Sequence, residues 1–250
     1  AAWYITRQKQ GVSARGLQRV LGLHSYQAAW TMLHRFRRAM VRPDRDLLCG
    51  TVEVDEVFLA LSRRDTKNPR LPGSKSHNRS HLVAVAVAIE VHESKGFGRI
   101  RLQRIAAPTI EAIVPFVQEN ISPGSTVRTD GSAIYATLKD NGFKHDPHVI
   151  LGSKVPAHEP LPGVHRIAAL IKRWFLGTHQ GAVDPRHVDY YLDEFTFRFN
   201  RRTSRSRGML FYRLIQQSAV AAPATYANIR DNHHPLRATS DRMKAVELNG

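Results

Sequence analysis

Cysteine is nearly absent from this chain of 250 residues, which contains only Cys49. A single cysteine cannot form an internal disulfide and cannot build a zinc site from several cysteines. Long apolar runs are also missing, because no segment approaches the roughly 18 consecutive apolar residues that span a membrane. Residues 1–7 lack the pattern of a secretory signal peptide. The sequence therefore predicts no membrane association, and we expect a protein of a reducing cytoplasm.

Acidic residues are scarce relative to basic ones. The chain has 37 Lys and Arg against 21 Asp and Glu, which gives a formal net charge of +16 and a pI near 10.6. A surplus of this size favours a polyanionic partner, because each cation that neutralises a phosphate releases a condensed counterion. Nucleic acid is the expected partner. A ribosome-associated or simply alkaline protein is the alternative that charge alone leaves open.

Patterns of apolar residues predict strands and helices in the order of an α/β protein. The nearly continuous apolar run at 81–89 is typical of a central strand covered on both faces, and the alternation at 98–105 of a more exposed strand. Further strands are predicted at 51–59 and 125–130, helices at 108–120, 132–141, 164–176 and 185–200, and loops at 63–80 and 144–163. This order predicts a mixed sheet with flanking helices.

Changes in composition predict three segments. A polar connector that contains proline, at 42–46, separates a small helical unit at 1–45 from a large α/β domain at 46–218. Residues 219–250 have little hydrophobic pattern, and we expect a poorly structured C-terminal tail there.

Two helices are predicted within residues 13–41. Ser13 and Ser25 are suited to cap their first turns, and Gly22 marks the end of the first helix. The apolar residues of the second helix share one face, and its other face carries His34, Arg35, Arg37 and Arg38. This pattern favours a helix-turn-helix-like unit in which Arg35 and Arg38 contact DNA. A plain helical hairpin is an equal alternative.

An aromatic stripe marks the predicted helix at 185–200. Tyr191, Phe195 and Phe199 recur every four residues, which is more typical of core packing than of base stacking. Arginines lie at and after the end of this helix, and the predicted phosphate contacts are Arg198, Arg201, Arg202, Arg205 and Arg207. A solvated charged surface is an equal alternative.

Two aspartates occupy unusual positions in predicted strands. Asp55 lies inside an otherwise apolar strand, and Asp130 ends another strand directly before Gly131. A carboxylate in such a place is costly to bury unless it is paired or holds a cation, and Mg²⁺ prefers such hard oxygen ligands. Taken singly, each aspartate is more often a turn or capping residue. Glu56 is predicted to lie on the opposite face of the strand from Asp55.

The order of these residues, together with several short motifs, resembles a bacterial insertion-sequence transposase of the DDE superfamily. The similarity extends over roughly residues 1–215 and is greatest to the branch whose third catalytic position is Glu, Asn or His. The motifs that carry it are Val54-Asp55-Glu56, Arg128-Thr129-Asp130-Gly131, Gly163-Val164-His165-Arg166, Lys172-Arg173-Trp174, Gly177-Thr178-His179-Gln180-Gly181 and Tyr191-Leu192-Asp193-Glu194-Phe195. The resemblance implies an RNase H-like catalytic domain at 46–218.

The resemblance also implies the site residues. Asp55 and Asp130 match the first two catalytic metal ligands, and His165, 35 positions after Asp130, matches the third. Lys172, with the neighbouring Arg173, matches a basic position that contacts DNA. Histidine departs from the commonest pattern, because imidazole suits Mn²⁺ better than Mg²⁺. Two alternatives for His165 are that it orients water or a phosphate, or that it contacts the DNA backbone. Glu159 is a possible substitute carboxylate for the third metal ligand.

The implied reaction is phosphoryl transfer with two ions of Mg²⁺ or Mn²⁺ about 4 Å apart. Water would cleave the element ends and the released 3′-hydroxyl would attack target DNA, with double-stranded DNA and a homodimer or larger assembly as partners. A DNA-binding relic with weak catalysis, or a metal-dependent nuclease, is the alternative. Because the chain begins at Ala1 and lacks the cysteines of an upstream zinc module, we expect a truncated reading frame or an excised core.

Overall fold

Five strands form one mixed sheet in the computed structural model, which describes residues 1–42, 45–61, 82–92, 96–148 and 161–231. The strands are β1 (Thr51–Ala60), β2 (Leu82–His92), β3 (Gly96–Ile105), β4 (Thr126–Thr129) and β5 (Lys144–Pro147), in the spatial order β3-β2-β1-β4-β5. β1 and β3 flank β2 in antiparallel pairs, whereas β1 with β4 and β4 with β5 are parallel. The predicted mixed α/β sheet is confirmed.

Helices cover both faces of this sheet within the unit Asp46–Val188. On one face, α4 (Ile110–Asn120) and a 3₁₀ helix (Ala133–Leu138) pack on the alanines of β2 and on Val52 and Val54. On the other face lies α5 (Pro162–His179), whose start contacts Ile89. β2 is buried at every position from Ala84 to Glu90, as predicted for a central strand.

One element of this unit departs from the sequence prediction. Residues 144–163 were expected to form a loop, but Lys144–Pro147 pair with β4 as the edge strand β5. The strand has only four residues, and its Pro147 lies at its end, where a missing N–H costs little. Residues 149–160, which include Glu159, and most of the predicted loop at 63–80 lie outside the described residues.

The second unit, Ala1–Arg45 with Asp189–Gly250, is helical wherever the structure describes regular elements in it. Its helices are α1 (Ala2–Arg7), α2 (Ala14–Val20), α3 (Tyr26–Ala39), α6 (Val188–Asn200), α7 (Arg207–Val220) and α8 (Tyr226–Arg230). The capping predictions are confirmed, because Ser13 Oγ accepts from the Gly16 N–H at 3.0 Å and Ser25 Oγ from the Ala28 N–H at 3.4 Å. Most of the predicted tail, residues 232–250, lies outside the described residues. In the part of the chain that the structure describes, no helix is long and apolar enough to cross a membrane.

The core of the helical unit contains a buried ion pair. Arg37 Nε donates to Glu194 Oε2 at 2.8 Å, and both side chains are at most 2% exposed. Arg198 donates to the other oxygen of Glu194 at 2.8 Å and also to the carbonyl oxygens of Ile5 and Gln8. Glu194 therefore links α3 and α6, and Arg198 links α6 to the first residues of the chain.

This pair corrects the predicted basic face of α3. His34 and Arg37 are buried, whereas Arg35 is exposed and Arg38 is half-buried. The sequence periodicity could not identify the burial of Arg37, because its partner Glu194 lies 157 residues away. The aromatic stripe is core, as predicted, with Tyr191, Phe195 and Phe199 all at most 9% exposed.

Replacing Glu194 with alanine is expected to lower the free energy of unfolding by about 3–5 kcal/mol, because it leaves the Arg37 guanidinium buried without its counter-charge. The matched control is Arg186→Ala, which removes an ion pair with Asp184 whose arginine is 72% exposed. That loss should stay below about 1 kcal/mol. Urea denaturation measures both, and equal losses in the two variants would contradict the structural role of the buried pair.

Candidate active site

The parallel pairing of β1 with β4 brings the two predicted aspartates together. Thr51 pairs with Thr126 and Glu53 with Arg128, a constant offset of 75 positions. Continued by two residues, the same register sets Asp130, which directly follows β4, beside Asp55. Neighbouring strands are about 4.8 Å apart, and directly paired residues of parallel strands point to the same face.

The electrostatics of Asp55 agree with this placement. Asp55 is half-buried, and burial is the main cause that raises the pKa of its carboxyl group. The hydrogen bond from the Glu56 N–H to Asp55 Oδ1, at 2.7 Å, opposes this rise, while the charge of Asp130 adds to it and that of His165 opposes it. Asp130 and His165 therefore both lie within electrostatic range of Asp55.

Asp130 also makes a local turn contact. Its Oδ1 accepts from the Ser132 N–H at 2.9 Å, and Gly131 follows with a φ of 80°. The turn function that the sequence left open for Asp130 is thus present. It engages one carboxylate oxygen and fixes the direction of the side chain beyond the end of β4.

His165 lies in the first turn of α5, four residues after Leu161, to whose carbonyl oxygen its N–H donates at 3.1 Å. Its side chain is half-buried. Within the described residues, no three His, Cys, Asp or Glu side chains are grouped closely enough to hold a metal ion. The structure therefore brings His165 near the aspartates without assembling a complete three-ligand cluster.

Glu53 is a site residue that was not predicted from the sequence. It lies two residues before Asp55 and hence on the same face of β1. It is fully buried, and its Oε2 accepts from the Val164 N–H at 3.0 Å. Burial raises the pKa of Glu53, against the opposing hydrogen bonds from the Val164 and Gly163 amides. A charged residue at a buried position of the strand was the sequence signal that could have identified it.

Gly163 lets the start of α5 approach the sheet. A Cβ at this position would lie 2.8 Å from Glu53 Oε2 and 3.0 Å from side-chain atoms of Ile89 and Phe97. Those distances are too short for any larger residue without a shift of the helix or of the sheet. Glu53 and Gly163 together therefore set the position of the helix turn that carries His165.

Glu56 lies on the other face of β1, as strand alternation predicted. Tyr135 Oη, in the buried cluster beneath the 3₁₀ helix, donates to Glu56 Oε1 at 2.5 Å. Burial raises the pKa of Glu56 to about 7; the tyrosine hydrogen bond opposes the rise, and the charges of Asp55 and Asp130 add to it. Glu56 is thus held by Tyr135 and not by the candidate site.

The predicted DNA contacts lie in both units. Lys172 and Arg173 are exposed on α5, downstream of His165. In the helical unit, Arg35 is exposed and donates to the carbonyl oxygen of Ala224 at 2.9 Å, and the exposed Arg202 lies 3.9 Å over the Phe199 ring. Their assignment to DNA stays a prediction.

Comparison with known families adds an independent finding. Residues 47–200, which contain all three predicted catalytic positions, match the ISXO2-like transposase domain. The chain belongs to the ISXO2-like transposase family. Its five-stranded mixed sheet with flanking helices fits the RNase H-like fold expected of such a domain. No curated protein matches the chain.

Membership makes this ISXO2-like transposase a nucleic-acid-processing protein with DNA as its implied partner. The match begins at residue 47, next to the boundary between the two structural units at Arg45 and Asp46. It ends at Asn200, the last residue of α6. It therefore includes β1, β4 and α5, the three elements that carry the candidate site.

Gly163→Ala is expected to destabilise the transposase by about 1–3 kcal/mol, because the added methyl group overpacks the contact with Glu53. Gly177→Ala, on the exposed part of the same helix with nothing within 4 Å of the added Cβ, is the matched control. It should stabilise the protein by about 0.5–1 kcal/mol, since alanine favours helix. Thermal unfolding measures both, and stabilisation by Gly163→Ala would refute the close approach.

The pKa of Glu56 predicts a pH dependence of stability. Its folded value of about 7 exceeds the ordinary 4.5, so between these pH values the folded protein keeps a proton that the unfolded chain has lost. The contribution of Glu56 to the free energy of unfolding is therefore largest below pH 4.5 and decreases as the pH rises towards 7.

Glu56→Gln should remove that decrease. The Tm of the variant relative to wild type is expected to rise between pH 4.5 and pH 7, measured with EDTA so that bound cations do not contribute. The control is Glu119→Gln, at an exposed position of α4. A Tm difference independent of pH for Glu56→Gln would contradict the raised pKa.

Proposed function

We propose that this chain catalyses metal-dependent cleavage and transfer of DNA strands as a DDE-type transposase, with Asp55, Asp130 and His165 as its catalytic positions. The observation that carries the proposal is the β1–β4 register, which sets two half-buried carboxylates side by side at the end of a short parallel pair. The family membership supports this reaction class, and the register supports the assignment of Asp55 and Asp130.

The donor set of the site fits a divalent cation. Asp55 and Asp130 offer hard carboxylate oxygens, and their mutual repulsion contributes to the raised pKa of Asp55. A cation between them would offset that repulsion, and Mg²⁺ commonly uses one or two carboxylates with water and phosphate oxygens. His165 adds an imidazole, which suits Mn²⁺ better than Mg²⁺. When bound, the metal would make water or a 3′-hydroxyl more acidic and would stabilise the leaving oxygen.

The surrounding residues would orient the reacting groups. Glu53 and Gly163 hold the first turn of α5 against β1, so that His165 lies close to the strand that carries Asp55. Lys172 and Arg173 lie exposed further along the same helix, where they would bind the DNA backbone. The nucleophile would be water in cleavage and a 3′-hydroxyl in joining, so no side chain has to form a covalent intermediate.

The charge of the whole chain supports DNA as the substrate. A net charge of +16 favours binding to duplex phosphates, and the proposed contacts are Lys172, Arg173, Arg35, Arg38, Arg201 and Arg202. Joining two element ends requires two of them to be held together. We therefore propose a homodimer or larger assembly on DNA.

One observation favours a second candidate function. Histidine stands at the third catalytic position, and no three metal-binding side chains are grouped among the described residues. A transposase-derived protein that binds DNA with weak or no catalysis would have the same fold and charge. A nuclease that cleaves DNA but never joins it is distinguished by its products.

The test uses labelled duplex DNA from either flank of the coding sequence, with Mg²⁺ or Mn²⁺. Asp55→Asn and Asp130→Asn are each expected to reduce cleavage by at least about 100-fold, the scale of losing a group that stabilises the transition state. His165→Ala should lose more activity with Mn²⁺ than with Mg²⁺, because imidazole is the better ligand for Mn²⁺. Asp140→Asn, at an exposed position outside the site, is the matched control and should match wild type.

The products separate the candidates. Cleavage followed by joined products supports the transposase, and cleavage alone supports the nuclease. Wild-type protein that binds the duplex but leaves it intact with both metals would overturn the catalytic proposal in favour of the DNA-binding relic.

A further inference from the structure

A cavity of about 700 Å³ lies within the helical unit, and its described lining residues belong to α3, to α7 and to the segments that follow α3, α6 and α7. The described lining residues include four arginines: Arg38 near the end of α3, Arg42 after α3, Arg201 after α6 and Arg213 from α7. Arg38 and Arg201 were predicted separately as DNA contacts. The structure brings these two into one cavity with two further arginines.

The charged side chains among the described lining residues of this cavity are all positive. Among the described lining residues there is no aspartate or glutamate. Burial lowers the pKa of Arg201, and repulsion from Arg42 and Arg213 lowers it further, so these guanidinium groups are close enough to disfavour one another. Arg201 donates to the Phe197 carbonyl oxygen at 3.4 Å and Arg213 to Gln216 Oε1 at 3.0 Å, and both of these acceptors are neutral.

The wall also contains a polar atom that has no hydrogen-bond partner among the described residues. Gln217 Oε1 is buried and accepts no hydrogen bond from them. A buried acceptor of this kind costs free energy unless a donor satisfies it. Apolar side chains, among them Val220, form the rest of the wall. The cavity thus combines concentrated positive charge, an acceptor without a donor and an apolar surface, which are complementary to a phosphate that carries a sugar or a base.

We propose that this cavity binds a backbone phosphate of DNA together with its adjoining nucleotide. The proposal deepens the proposed function and rests on it, because it takes DNA as the substrate. Arginine provides several donors in a planar fork that matches phosphate oxygens, and several arginines together can neutralise one phosphate in a half-buried place. The cavity would hold DNA through charge and shape, without reading base sequence.

Binding of the full-length chain to a labelled duplex, measured by fluorescence anisotropy in EDTA over a range of salt concentrations, tests this proposal. Arg42→Gln and Arg213→Gln are each expected to weaken binding roughly 10-fold. The double variant should reduce the slope of log K against log salt by about 0.9 for each phosphate that the protein no longer neutralises. Lysine at either position should restore most of the slope. Arg230→Gln is the matched control, because Arg230 is exposed and paired with Asp231.

A variant that leaves the charge unchanged separates entry into the cavity from general attraction. Ala222 is an exposed residue of the wall, so Ala222→Trp should obstruct the cavity without burial in the core. We expect it to weaken binding about as much as the removal of one arginine. Ala219→Trp, at an exposed position of α7 outside the wall, should bind like wild type.

The outcomes are distinct. The proposal is wrong if Arg42→Gln and Arg213→Gln both leave the slope of log K against log salt at the wild-type value. It is also wrong if Ala222→Trp and Ala219→Trp weaken duplex binding equally. If Arg42→Gln weakens binding of ATP to the DNA-free protein but leaves duplex binding unchanged, the cavity is a site for free nucleotides and the proposal is wrong. Failure of wild type to bind any duplex would instead overturn the proposed function itself, whereas loss of cleavage in Asp55→Asn with normal duplex binding leaves the cavity proposal intact.

Discussion

The parallel pairing of β1 with β4 is the constraint on which the candidate site depends. The two strands share only three directly paired positions, but their offset of 75 residues places Asp130 beside Asp55 once it is continued. A slip of one residue would turn one carboxylate to the opposite face of the sheet, because side chains alternate along a strand. The antiparallel pairing of β1 with β2 over ten positions holds β1 in place. The short parallel pair is therefore positioned by a much longer antiparallel one.

Both units bury a carboxylate where a helix must be fixed. Glu53 accepts from the first turn of α5 at the face that carries Asp55, and Glu194 accepts from Arg37 and Arg198 between the helices of the other unit. A buried charge is costly unless it is hydrogen-bonded, so each arrangement tolerates few alternatives. In the sheet unit, the close approach at Gly163 adds a steric condition to the electrostatic one. The position of His165 thus depends on residues that need not contact DNA.

The elements with strong local patterns could be predicted from sequence. The apolar β2, the capping serines of α2 and α3, and the face of Glu56 follow from periodicity and local hydrogen bonding, which need only neighbouring residues. The edge strand β5 could not, because four residues of His, Asp, Lys and Pro form a strand only through pairing with β4. The burial of Arg37 likewise depends on a residue far along the chain. Asp55 and Asp130 were predicted as catalytic positions by resemblance, whereas the role of Glu53 depends on its contact with α5.

Like charges repel one another at two places in the chain, between carboxylates at one place and between guanidinium groups at the other. Asp55 and Asp130 raise the cost of negative charge at the end of the β1–β4 pairing, and Arg42, Arg201 and Arg213 raise the cost of positive charge in the helical unit. A divalent cation would offset the first and a phosphate the second, and a DNA strand with its associated metal ions supplies both. The same substrate would thus reduce both costs, which is the physical reason to assign the two proposed sites to one proposed function.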